Sequence, residues 1–205
     1  MLITQLKKKE ELLPFFKENI LLIACFGCKE VHFPSKEYEL LKAELKTLNL
    51  NISGEIVLDY LCNEDYTAKR LELYRNEITK AGTLLVFACG VGVQTLAALL
   101  PDKTILAGCD TFYVPGFSGF TPTSYDCEQC GECKLGLTAG ICPLTACSKG
   151  LLNGPCGGTK NGKCEVSKNM DCGWEKILLK SKAIGEPNPR IKEIVSIRDY
   201  KKSFS

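Results

Sequence analysis

The 205-residue chain carries 26 Lys and Arg against 24 Asp and Glu, a net charge of +2, with 45% hydrophobic residues and one His. That balance supplies no strong field for nucleic acid or anionic lipid, and no apolar run approaches the roughly 20 residues of a membrane helix. Met1 to Lys17 mixes Lys and Glu with Leu and Phe and lacks the apolar core of an export signal, so a cytoplasmic protein with neither nucleic-acid nor membrane partners is expected.

Asn19 to Ala24 is a short apolar run, the pattern of a buried parallel strand. Lys36 to Leu48 places leucines at 40, 41, 45 and 48, which is helical spacing. Glu55 to Leu61 reads as a second strand. Asp65 to Lys80 carries Leu71, Tyr74 and Ile78 on one helical face, with Gly82 placed as a C-cap. Thr83 to Ala88 is a third strand, Gly92 to Leu100 a third helix closed by Pro101, and Thr104 to Ala107 a fourth strand. The alternation predicts an α/β fold over residues 1–110: a parallel, open, doubly wound sheet, flavodoxin-like in outline. From Thr111 to Lys168, Gly, Pro, Thr and Cys dominate and periodicity is lost. Such a stretch buries too little apolar surface to fold alone, so residues 111–205 are expected to form an irregular, cysteine-rich, metal-binding segment. A last helix, Cys172 to Lys182, carries Trp174, Ile177 and Leu178 and is expected to pack back on the sheet.

Thirteen cysteines against one His set the chain apart. An odd count, close pairs and no export signal favour metal over disulfides. Cysteines as small buried hydrophobes would account for one or two, Cys109 among them, but not for the eight between Cys127 and Cys172. Cys25 and Cys28 follow the first strand, Cys62 the second and Cys89 the third. In a 2-1-3-4 strand order these four meet at the carboxyl edge, where such sheets bind ligands, and could hold a [4Fe–4S] cluster or zinc. Cys25-Phe-Gly-Cys28 also fits a thioredoxin-like redox pair, and Gly90-Val-Gly92 a phosphate-cradling turn, though it lacks the third glycine of the dinucleotide fingerprint. His32 is a minor candidate for the same site.

Cys127-x-x-Cys130-x-x-Cys133 supplies three thiolates at the spacing that wraps a cubane, a pattern that favours iron–sulfur over zinc. Cys142, Cys147, Cys156, Cys164 and Cys172 follow. Three sites of four ligands would use all the cysteines but Cys109. The expected grouping sets Cys127, Cys130 and Cys133 on one cluster and most of Cys142, Cys147, Cys156 and Cys164 on another, with Cys172 completing either.

These residues resemble a known family. Cys130-Gly-Glu-Cys133, Gly140-Ile-Cys-Pro143, Cys147 to Gly158 (CSKGLLNGPCGG), Gly162-Lys-Cys-Glu-Val166 and Asp171-Cys-Gly-Trp174 are similar to the MetV-type small subunits of methylenetetrahydrofolate reductase, whose cysteine-rich module also occurs as a C-terminal domain. The N-terminal half matches more loosely, through Cys25-x-x-Cys28 and Phe87 to Gln94 (FACGVGVQ); where the family pattern carries a further cysteine, this chain has His32. The resemblance implies a heteromeric complex with a flavin-binding catalytic subunit that reduces methylene-tetrahydrofolate in one-carbon (Wood–Ljungdahl) metabolism. It also implies iron–sulfur clusters, with zinc associated with the family as well.

Three functions are open on the residues and the resemblance together, the flavin-bearing partner of the first being what the resemblance implies. In the first, clusters take electrons from a low-potential electron donor and pass them to the partner's flavin, the chain being a non-catalytic accessory subunit. In the second, zinc serves only the fold and a docking surface. The third is a corrinoid- or flavin-binding domain, opposed by the cysteines at the edge such a ligand would occupy. No catalytic constellation is found: one His permits no Ser/His/Asp set.

Overall fold

A computed structural model describes residues 2–16, 19–48, 50–113, 126–185 and 195–202. In chain order the elements are β1 (Leu2–Leu6), α1 (Lys9–Leu12), β2 (Ile20–Cys25), β3 (Val31–His32), α2 (Ser35–Thr47), β4 (Ile52–Leu58), α3 (Glu64–Leu71), α4 (Arg75–Lys80), β5 (Thr83–Phe87), α5 (Gly90–Leu99), β6 (Thr104–Ala107), β7 (Cys109–Tyr113), α6 (Pro143–Ala146) and α7 (Gly173–Ala183).

The main sheet is wholly parallel with order β4-β2-β5-β6, the 2-1-3-4 order expected from the sequence. Residues Ile20 to Ala24 of β2 and all of β5 are buried, because helices cover both faces. One core packs Leu71, Ile78, Val93 and Leu96 from α3, α4 and α5 against Ile23, Leu84 and Val86. The other packs Leu12 of α1 and Tyr38, Leu41 and Leu45 of α2 against Leu22, Leu85 and Phe87. The fold is therefore α/β and doubly wound.

Several local readings are corrected. The second strand runs from Ile52 to Leu58 and stops before Leu61, because Tyr60 turns into a left-handed conformation (φ 53°). The expected helix 65–80 is two helices joined by a 3₁₀ turn over Glu72–Tyr74. Gly82 is not its left-handed cap: Ala81 turns extended, and the N–H of Gly82 donates to the carbonyl of Asn19 (2.9 Å). β1 and β7, too short to show a period, pair antiparallel, and β3 joins β1 in parallel to give a three-stranded second sheet. The 110/111 division falls within β7, so the chain's first strand is hydrogen-bonded to the start of its cysteine-rich segment.

The C-terminal helix does not build the sheet's core. Trp174 and Ile177 of α7 are buried with Cys172 in a small core of their own, against Ile141, Cys147 and Leu151, while Leu178 is exposed and Ser181 takes the buried face. α7 begins so close to the end of α6 that a Cβ on Gly173 would lie 2.4 Å from the carbonyl oxygen of Ala146. Only Gly fits there without moving backbone. Gly173→Ala is predicted to destabilise the chain by ~1–3 kcal/mol in urea unfolding, whereas Gly54→Ala, whose Cβ would meet only Leu21 at 3.5 Å, changes stability little. Equal effects of the two substitutions would refute this reading of the α6–α7 contact.

Candidate metal centre

The carboxyl edge of the main sheet collects the first set of cysteines. Cys25 ends β2, Cys62 lies in the turn after β4, and Cys89 is the N-cap of α5 after β5. Cys28 follows on the loop from β2, which Phe26 anchors by stacking edge-on against Phe33 (4.7 Å between centroids) and Tyr38 (5.7 Å). Cys25, Cys28, Cys62 and Cys89 all line one cavity of ≈ 30 Å³. Val31 and Phe33 line it too; His32, between them on β3, does not and is exposed, as strand alternation requires.

A second cavity, ≈ 20 Å³, lies on the other side of the first turn of α5 and is lined by Cys127, Cys130, Cys133 and Cys142. Cys142 thus stands with the triple, which revises the grouping expected from spacing. Gln129 (φ 51°) and Gly131 (φ 68°) take left-handed conformations between the cysteines and wind the loop round the cavity. A bridge from Phe112 to Cys130 and a bond from Gly131 N–H to Thr111 (3.1 Å) fasten this loop to β7.

The two cavities share α5. Gly90 lines the second and Gly92 the first. A Cβ on Gly90 would lie 2.7 Å from the Cys127 sulfur, so glycine is what lets that loop approach. The Gly90 N–H donates to Thr111 Oγ1 (3.0 Å). The Gly90–Gly92 segment is thus a packed helix start rather than an open turn.

Burial dominates the thiols. It pushes Cys25 and Cys133 up to about 12 and Cys89 to about 11, and raises Cys62, Cys130, Cys109 and Cys127 as well. Opposing this, backbone amides just downstream favour the thiolate: Gly92 and then Val91 at Cys89, Gln129 at Cys127, Glu132 at Cys130 and Leu135 at Cys133. The Gly158 N–H donates likewise to Cys156 Sγ (3.4 Å). Amides aimed at buried sulfurs stabilise a charge the protein alone keeps protonated, and a bound cation would release that proton. Among the described residues, however, no group of three or more His, Cys, Asp or Glu is closed to the geometry of a single ion.

Of the remaining five cysteines, four occupy the α6–α7 module. Cys147 and Cys172 pack on Trp174 and Ile177. Ser148 Oγ lies 3.1 Å from Cys164 Sγ, and Thr159 Oγ1 donates to Cys172 Sγ (3.0 Å). Cys156 is exposed. Cys164 alone is lowered, first by Ser148 and then by the Val166 amide. Cys109 lines neither thiol cavity and is buried among Leu85, Phe87 and Leu106, a packed residue as expected.

Sequence reasoning missed the polar residues that hold the second site. Asp110 Oδ1 accepts both from Lys7 Nζ (2.7 Å) and from the Cys133 N–H (2.6 Å). Burial opposes the charge on Lys7, but Asp110 outweighs it and the lysine is raised. Gln94, 6% exposed, spans three backbone groups near the site. A lone Asp or Gln carries no pattern by which a sequence could reveal it.

Residues 106–201 match the family described as methylene-tetrahydrofolate reductase C terminal. The match takes in β7, the four cysteines of the second cavity and the α6–α7 module, a little under half of the chain, and links that segment to methylenetetrahydrofolate reductase. No curated protein and no solved structure matches the chain.

In metal-free protein at pH 8, Cys164 is predicted to react with iodoacetamide well before Cys25, Cys89 and Cys133, because thiolate is the nucleophile and theirs is suppressed. Peptide mapping over a time course checks the order; early labelling of Cys133 would contradict it.

Proposed function

We propose that this chain is an iron–sulfur electron-transfer subunit of a methylenetetrahydrofolate reductase complex, serving a flavin-containing catalytic partner in cytoplasmic one-carbon metabolism of the Wood–Ljungdahl type. The observation that carries the reading is the pair of four-thiol cavities on either side of the α5 N-terminus, the cysteines of the second lying inside the segment that matches the reductase family.

The donor sets fit the groups proposed. All-thiol sites of four suit [4Fe–4S] clusters, with Cys25, Cys28, Cys62 and Cys89 holding one and Cys127, Cys130, Cys133 and Cys142 the other. A bound cluster supplies one-electron chemistry at low potential. The chain's own residues do the rest: amides at Val91, Gln129, Glu132 and Leu135 hold negative charge at sulfur, apolar neighbours such as Leu61 and Leu135 keep water away, and the Lys7–Asp110 pair fixes the Cys133 backbone. The low-potential donor and the flavin of the partner are the two ends of the transfer.

The zinc reading has one observation in its favour, and it is local. Cys147, Cys156, Cys164 and Cys172 stand on a module whose small buried core among the described residues is Cys172, Trp174 and Ile177, where a structural metal would add the stability that apolar burial does not.

The grouping is open to test. Cys142→Ser and Cys130→Ser are predicted to abolish the same electron paramagnetic resonance signal of the dithionite-reduced chain, with loss of about four irons each, while Cys147→Ser spares it. A Cys142→Ser protein with the full complement of signals would overturn the assignment. The isolated chain is expected to show no turnover of methylene-tetrahydrofolate.

A further inference from the structure

Gln94 lies on the second turn of α5, is all but buried, and has its whole amide engaged. Its Nε2 donates to the carbonyl of Asp126 (2.7 Å) and to that of Gly90 (3.2 Å), and its Oε1 accepts from the N–H of Cys142 (3.3 Å). Asp126 immediately precedes Cys127. One side chain therefore holds the backbone at both ends of the second thiol set, the start of the Cys127–Cys133 loop and the distant Cys142. It holds them to the helix whose N-cap, Cys89, belongs to the first set.

The spacing that results is short. Cys127 Sγ would lie 2.7 Å from a Cβ on Gly90, and Gly90 is bonded to Cys89. Standard covalent geometry then keeps the Cys89 and Cys127 sulfurs within about 11 Å of each other.

We propose that Gln94 is a positioning residue that assembles the second thiol site and registers it against the first across the start of α5. The proposal rests on the two-site reading above for what the thiols hold, but not for the placement of the thiols themselves. Donor and acceptor are matched to their partners at every contact: two carbonyls face the NH₂ and one N–H faces the oxygen. A carboxylate at the same position would set oxygen against both carbonyls, and a buried charge would be added. An apolar side chain of the same length would take these bonds from the Cys142 N–H and from the Asp126 and Gly90 carbonyls.

The test uses the full chain with Gln94→Glu and Gln94→Met, each checked for cooperative unfolding. Anaerobically purified and reduced with dithionite, both variants are expected to lose or shift the resonance signal that Cys142→Ser abolishes, and to retain the one that Cys62→Ser abolishes. In metal-free protein, iodoacetamide labelling of Cys127 and Cys142 is expected to accelerate at least several-fold, with Cys25 and Cys28 unchanged. Loss of neither signal, or of both together, with uniform labelling rates would overturn the proposal. If the parent chain holds no iron, the electron-transfer reading fails, and the labelling comparison alone decides the role of Gln94.

Discussion

The start of α5 is the constraint on which both halves of the molecule depend. A parallel strand delivers its chain to the carboxyl edge of the sheet, and β5 delivers it at the crevice beside β2, where Cys89 caps the following helix. Because Gly90 has no side chain, the loop bearing Cys127 closes down on the same turn from the other side. Thr111, buried in β7, receives the Gly90 N–H, so the second sheet is tied to that point as well. The cysteine-rich segment thus has a rigid element to fold against, although it offers few apolar residues of its own.

Electrostatics set the terms on which such an arrangement would take a metal under the proposed function. Burial raises the thiols of Cys25 and Cys127, first through lost hydration and then through the charge of neighbours: Cys89, Cys28 and Cys62 act on Cys25, and Cys133, Cys89 and Cys142 on Cys127. Burial without compensation would be a cost with no return, yet the loops aim amide after amide at these sulfurs. A cationic centre reconciles the two, since it favours the thiolate that the amides already prefer. The α6–α7 module differs. Cys156 is exposed, Cys164 is lowered rather than raised, and the sulfurs of Cys164 and Cys172 meet the Ser148 and Thr159 hydroxyls. Under the proposed function, this contrast sets the two cavities, read as redox centres, apart from a module read as structural.

Much of this was legible in the residues. Continuous apolar runs at 20–24 and 83–87 reveal strands buried on both faces, and the strand–helix alternation fixes a parallel sheet whose order brings Cys25, Cys28, Cys62 and Cys89 together. What spacing alone could not show was long-range pairing. β1 and β7 are five residues each and acquire meaning only from one another. Cys142 lies nine positions from Cys133, and joins its site because Gln94 draws its backbone in, a contact across 48 residues. Leu178 fits a helical face on periodicity but is turned outward, while Trp174, Ile177 and Ser181 take the buried face of α7.

The central claim is that these thiols hold redox-active iron. A reductive titration of the full chain, purified without oxygen and analysed in parallel for iron, sulfide and zinc, tests it most directly. The account predicts a brown protein with iron and sulfide in equal amounts, about four of each per cluster, that takes up one electron for each of two clusters. A colourless protein that contains zinc alone and takes up no electrons would contradict it.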